Sequence, residues 1–296
     1  MAIPTHSTTH INQHEIIPAK NDLGALGNRI NMETRSLHNQ VDKLVTLKFA
    51  IAVRDPKIYR QGIQMFYHFF CAIEDSLMRE LSNENSKYTE MLRAVYKPEM
   101  LRRDKLYRDL MFYYGGNPDK FSKPILSNQI EFTEYIRRTT AEKPYLLLAY
   151  MHVLYLALFA GGRIMASQVT RSLGLWPKVK GTSYNDFIEE GTNFYKFDVP
   201  DMEVLRVVYK RDYELATRNF LTESEKEEII NESKFIFQQT ADGIKEIEQH
   251  NLHRIKGSIS YHLFTKGYYA LILLLAIIPL LILSYYYLSK TVSVVV

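Results

Sequence analysis

The sequence predicts an all-α domain followed by one C-terminal membrane helix. Apolar residues recur at helical spacing through most of the stretch between 24 and 250, where alternation with period two is rare. Residues 268–288, YYALILLLAIIPLLILSYYYL, form an uncharged, almost wholly apolar run long enough to cross a bilayer. The 296 residues are 46% hydrophobic and include 21 tyrosines and 15 phenylalanines, which is enough bulk for one large core.

Residues 1–23 are expected to be a flexible N-terminal segment, because Pro4, Pro18 and several Ser and Thr oppose regular structure and no apolar core marks a secretory signal. His6, His10 and His14 recur every four residues, a spacing that would align metal ligands on a helix, but the prolines work against a helix there. Residues 24–249 read as the helical domain. Within 24–47, Ile30, Leu37, Val41 and Leu44 fall on one stripe. Residues 57–82 form a long amphipathic helix that ends in the polar turn NENSK. The stretch 96–116 opens with a proline near its start and closes on Gly115 and Gly116 as a C-cap. A short helix follows over 126–139, and another runs from Pro144 to near Gly174. Residues 175–201 are looser and rich in turn residues. The last two helices cover 201–219 and 222–249, the second announced by the capping pattern Thr222-x-x-Glu225.

Residues 250–267 read as a basic linker, 268–288 as a tail anchor and 289–296 as a short lumenal tail. Tyrosines at both ends suit interfacial anchors, and Pro279 is tolerated within a span. Arg254, Lys256 and Lys266 precede the span and Lys290 alone follows it, which places the large N-terminal part on the cytoplasmic side. The lack of a signal and the short tail favour the endoplasmic reticulum membrane. The run 144–165, PYLLLAYMHVLYLALFAGGRIM, competes as a second span, since residues 144–162 carry no Asp, Glu, Lys or Arg. His152, the glycine pair and Arg163 weigh towards a buried core helix instead.

Composition removes several function classes. A single cysteine, Cys71, excludes an internal disulfide and a cysteine-cluster metal site, and fits a reducing compartment. The net charge of +4 comes without the concentrated basic stripe of a nucleic-acid binder. No phosphate loop, zinc spacing, nucleophile elbow or serine triad is present.

Three histidines, His38, His68 and His152, sit within apolar helices, and imidazole is a common axial ligand of haem iron. His38 has the best neighbours. Thr34 and Asp42 lie one turn before and after it, and a carboxylate there can accept the second ring N–H; Asp42 serves equally well as a partner for Lys43 or a solvated side chain. Gly161 and Gly162 each cost about 1 kcal/mol against alanine inside a helix. They are explained either by a flat ligand pressed on bare backbone or by close helix packing together with Ala157 and Ala160. Arg206 and Lys210, one turn apart, repel each other unless an anion such as a pair of haem propionates lies between them; bulk water is the other partner open to them.

Five stretches in register over roughly 25–245 together resemble the haem oxygenase family. METRSLHNQVDK (32–43) looks like its proximal helix, with His38 at the iron-ligand position and Asp42 where a glutamate is usual. MFYHFFCAIEDSL (65–77) and AVYKPEMLRRDKLYRDLMFYYG (94–115) resemble its next segments. YLALFAGGR (155–163) is similar to its distal signature YLGDLSGGQ. Arg206, Tyr209 and Lys210 stand where propionate-facing residues are expected, and Phe237 where a pocket aromatic is. The resemblance implies a helical domain with haem b sandwiched between the proximal and distal helices. It implies ring opening of haem to biliverdin, carbon monoxide and ferrous iron with O2 and electrons from an NADPH-dependent reductase. In that scheme His38 holds the iron, Thr34, Asp42, His152, Arg206, Lys210 and Phe237 line the haem, and Gly161, Gly162 and position 158 form the catalytic distal wall. The tail anchor and the YLALFAGG signature resemble a fungal branch of the family. The basic cluster Arg102, Arg103, Lys105 and Arg108 would then dock the reductase.

The chain also departs from the family pattern. Leu158 and Ala157 replace the distal aspartate and its preceding glycine, Asn31 replaces a basic residue, and His152 replaces a tyrosine near a propionate. Loss of the aspartate leaves a second expectation open, a haem-binding protein with peroxidase-like or sensing activity.

Overall fold

Several helix ends in this protein fall where a nearby side chain or a glycine satisfies free backbone groups, among them those at Asp55, Gly115–Gly116, Asp201 and Thr222. The computed structural model describes residue 18 and residues 22–52, 55–173, 183–257 and 259–292; His6, His10 and His14 lie outside them. No strand occurs among the described residues.

Two helices, α1 (Leu26–Glu33) and α2 (Arg35–Ala52), take the place of the single helix expected over 24–47. They meet at Thr34, whose hydroxyl donates to the Ile30 carbonyl at 2.7 Å, a back-bond of the kind that loosens a helical turn. Asp55 caps α3 (Pro56–Leu81) by accepting from the Lys57 amide at 2.8 Å. Next come α4 (Thr89–Val95), a 3₁₀ turn at Pro98–Met100 and α5 (Arg103–Tyr113). The expected glycine pair closes α5: Gly115 and Gly116 have φ of 65° and 77°. The Gly116 amide donates to the Met111 carbonyl at 2.7 Å and the Gly115 amide to the Phe112 carbonyl at 3.2 Å, as in a Schellman motif.

After α6 (Ser127–Glu142), the segment from Pro144 changes helical type along its length. It runs through a 3₁₀ turn (Pro144–Leu146), α7 (Leu147–Tyr150), a π-helical turn (Met151–Tyr155) and α8 (Leu156–Leu173). It bends by 51° between Phe159 and Gly161, so the glycine pair sits at a kink. Leu147, Leu148, Ala149 and Tyr150 are wholly buried, which makes this run a core helix, as its His152 and glycines suggested.

The turn-rich stretch is more regular than expected. Within it lie α9 (Tyr184–Glu190) and a 3₁₀ turn at Asn193–Tyr195. The buried carboxylate of Asp109 on α5 holds that turn, accepting from the Asn193 and Phe194 amides at 2.7 and 2.8 Å. Asp201 caps α10 (Met202–Phe220) through the Glu203 and Val204 amides. The capping box opens α11 (Glu223–His250): the Thr222 amide donates to Glu225 at 2.8 Å and the Glu225 amide returns to the Thr222 hydroxyl at 3.3 Å. α3 packs against α5 and α6, and α10 packs against α4 and α1.

The chain divides into two compact units, Met1–Ile247 and Glu248–Val296. The second contains α12 (Leu252–Gly257) and α13 (Ile259–Val292), so most of the expected linker is helical. Within α13, Lys266–Tyr285 is long and apolar enough to cross a membrane.

The basic cluster expected as a docking surface does not exist as one. Arg102 is wholly buried, with its guanidinium donating to the Lys196 carbonyl at 2.9 Å. Lys105 is buried and paired with Asp198 at 2.7 Å, and Arg103 is engaged by Asp75. Only Arg108 remains exposed, because helix periodicity turns the other three inward or towards neighbouring carboxylates.

Two glycines should respond with opposite sign to the same substitution. Gly62 lies inside α3 with open space where a Cβ would stand, so Gly62→Ala should stabilise the protein by about 0.5–1 kcal/mol. Gly115 is left-handed, so Gly115→Ala should destabilise it by about 1 kcal/mol. Equilibrium urea unfolding of both variants checks the pair.

Candidate functional site

The first wall of the site is α2. His38 lies one turn beyond Thr34 and is largely exposed. Its ring meets Phe237 of α11 edge-on, with centroids 5.8 Å apart and planes at 70°. Among the described residues the imidazole nitrogens of His38 make no hydrogen bond, so both are available to a ligand. Asp42 is exposed and not hydrogen-bonded to His38, while Thr34 is buried with its hydroxyl committed to Ile30. Sequence spacing brings Asp42 to the same face as His38 without a bond between them.

The second wall is the bent helix. Leu158 and Phe159 are buried on the N-terminal side of the bend, and Ala157 is exposed. Gly162 is buried, yet a Cβ built on it, or on Gly161, meets nothing within 4 Å. Open space beside a buried glycine is the feature a flat ligand needs and close helix packing would have filled. No side chain of the described residues packs within 4 Å of a Cβ at either position.

His152 is placed differently from the other expected site residues. It sits in the π-helical turn, buried, with Nε2 3.1 Å from the Asn31 side-chain oxygen on α1. Gly27 of α1 leaves the room its ring occupies: a Cβ there would stand 3.2 Å from the imidazole. Its Nδ1 is buried without a partner. Burial, with Lys210 as the lesser cause, lowers its pKa to about 4, so the ring is neutral. Asn31 and His152, two positions where the chain departs from the expected pattern, thus face each other as a neutral pair.

Of the two cations on α10, Arg206 is already paired. Its Nε donates to the Glu203 carboxylate at 3.0 and 2.9 Å, one turn back. Lys210 makes no hydrogen bond or ion pair among the described residues. Burial first, then Arg206, lowers its pKa. Glu203 offsets this only in part, and an incoming carboxylate would favour the charged form further.

The sequence did not single out a further set of residues as part of the site. Glu74 of α3 is buried and accepts from the Arg102 amide at 2.6 Å, the Arg103 amide at 3.2 Å and the Tyr155 hydroxyl at 3.2 Å. Phe159 stacks on Phe197 with centroids 4.7 Å apart and planes at 16°. The Arg102 guanidinium carbon lies 4.0 Å from the centre of the same Phe197 ring. Glu74 and Arg102 look like surface residues in a linear reading, and only long-range packing buries them.

His152 gives the site a pH signature. The unfolded chain binds a proton on this histidine as pH falls below the ordinary 6.5, whereas the folded chain resists until about 4. Stability is therefore withdrawn progressively as pH falls from 6.5 towards 4. Asp109, raised by burial to about 6, acts in the opposite sense but is common to wild type and variant. Between pH 7 and pH 5, His152→Gln should lose on the order of 2 kcal/mol less than wild type in urea unfolding; equal losses would show that the ring is not held neutral.

Comparison with known proteins identifies the family. A family model described as Heme oxygenase matches residues 24–244. A Saccharomyces cerevisiae protein named heme-binding protein HMX1 is 37% identical over 270 residues, covering 86% of this chain and 84% of its own. Heme oxygenase 2 of Synechocystis is 25% identical over 241 residues, covering 81% and 88% of the two chains. Among solved structures, heme oxygenase of Leptospira interrogans aligns with a TM-score of 0.60 at 25% identity, over 75% of this chain and 99% of that one. Synechocystis heme oxygenase-2 in complex with heme and NO shares the fold with a TM-score of 0.65 at 24% identity, over 82% and 92%. The family model over most of the chain and the 37% identical relative show that the chain belongs to the haem oxygenase family.

Proposed function

We propose that the protein is a haem oxygenase that opens haem to biliverdin, carbon monoxide and ferrous iron. The observation that carries this reading is the open space over Gly162, a buried position inside a kinked helix. Haem is both substrate and cofactor. His38 would hold the iron, with Phe237 limiting the swing of its ring. Gly161 and Gly162 bring main chain rather than side chains over the opposite face. Lys210 is the propionate partner, since its ammonium is half-buried and makes no direct ion pair among the described residues, while Arg206 keeps Glu203 as its own hydrogen-bonded partner. The neutral His152–Asn31 pair offers no cation, so one side of the ring edge is held electrostatically and the other is not. Bound haem supplies the redox-active iron at which O2 is reduced with electrons from an NADPH-dependent reductase. The apolar segment Lys266–Tyr285 anchors the protein in the endoplasmic reticulum membrane, with the helical domain and its reductase on the cytosolic side.

One observation favours a second reading, a haem-binding protein with peroxidase-like or sensing activity. Leu158 is buried, and the chain from Leu156 to Gly162 holds no ionisable group, so this wall provides no carboxylate to order water beside bound O2. The Saccharomyces cerevisiae relative bears the name heme-binding protein.

Turnover separates the two. Full-length protein in detergent, given haem, NADPH and a cytochrome reductase under air, should yield a bile pigment and carbon monoxide. His38→Ala should lose this activity and the axial-histidine spectrum together. Intact haem at the end of the wild-type reaction would favour the second reading.

A further inference from the structure

We infer that Glu74, Arg102 and Phe197 form a clamp that grips the distal helix at Tyr155 and Phe159 and so sets the position of the Gly161–Gly162 backbone over haem. They are positioning residues, and the inference rests on the haem reading above for what the glycines cover.

The clamp has two jaws, one turn apart on the same helix. At the first, the Tyr155 hydroxyl donates to Glu74 at 3.2 Å. Glu74 is itself fixed by the Arg102 and Arg103 amides at 2.6 and 3.2 Å, which are the free donors at the start of α5. At the second, Phe159 lies flat on Phe197. The other support of Phe197 is Arg102, whose guanidinium is wholly buried, 4.0 Å from the ring centre and donating to the Lys196 and Glu99 carbonyls at 2.9 and 3.3 Å. Arg102 therefore serves both jaws, through its amide at Glu74 and its guanidinium at Phe197.

The location of the jaws decides what they control. Phe159 is the last residue before the 51° bend. Beyond Gly162, none of residues 163–168 is buried, and the next buried side chain is Val169. The glycine pair is thus cantilevered from Phe159, and a shift there is transmitted directly to the bare backbone. The π-helical turn at Met151–Tyr155 lies immediately upstream, where helical hydrogen bonding is already irregular, so the helix by itself does not fix the height of the pair.

Phe197→Leu and Tyr155→Phe in the full-length protein test this. Without haem, hydrogen–deuterium exchange of amides 156–164 should quicken about fivefold in each variant, with α6 unchanged. Phe197→Tyr, which keeps the stack, should exchange at the wild-type rate. With haem, the C–O stretch of the ferrous carbonyl adduct should shift in both variants while the iron–histidine band stays in place. Wild-type exchange at 156–164 in both variants, or acceleration spread evenly over the chain, would overturn the clamp, as would an unmoved C–O stretch. Failure of the wild type to bind haem would sink the haem reading, and the exchange result would stand independently of it.

Discussion

A carboxylate buried among apolar side chains has to be saturated with hydrogen bonds, and the way Glu74 meets that demand organises the distal half of the domain. Burial raises its pKa, opposed by the Arg102 and Arg103 amides, by the nearby Arg103 charge and by the Tyr155 hydroxyl. These donors come from two different elements, the start of α5 and the π-helical turn. One oxygen pair thereby fixes α3, α5 and the distal segment to each other. Removing any partner leaves the others with a buried, unsatisfied group, which is more damaging than loss of a surface contact. Arg102 is the cationic counterpart: burial lowers its pKa to about 10, and carbonyls and an aromatic face replace the water it has lost.

The two walls of the site are held very differently. The distal wall is embedded, with Leu147 to Tyr150 wholly buried behind it. The proximal wall begins at a threonine that weakens the helical turn and presents His38 on an exposed face, with Leu37, Val41 and Leu44 only half-buried. Surface ion pairs from Arg29 to Glu223 and from Lys234 to Glu33 tie α1 to α11 instead. Such pairs are individually weak. The histidine wall is the less buried of the two.

Chemistry at the site turns on position 158. With a leucine buried there, the polar groups on the distal segment are Tyr155, committed to Glu74, and His152, held neutral against Asn31. Neither is a free acid. Residues 156–162 therefore contribute no side chain able to carry a proton.

Much of this protein is legible in one dimension. Helix periodicity, the Gly115–Gly116 closure, the Thr222–Glu225 box and the apolar C-terminal run depend on interactions within a few residues, so their outcome is written locally. His38 and the glycine pair stood out for the same reason: an isolated imidazole on a helix and two poor helix formers in an apolar run are local anomalies. The turn at 193–195 was not legible, because Asp109, more than eighty residues earlier, holds it. Nor was the burial of Arg102 and Lys105, where tertiary packing overrode the surface preference of charged residues. Sequence by itself determined which groups this chain can offer to haem. Only the tertiary structure decided how they are placed: the pairing of Arg206 with Glu203, one turn back, is local, whereas packing half-buries Lys210 beside His152.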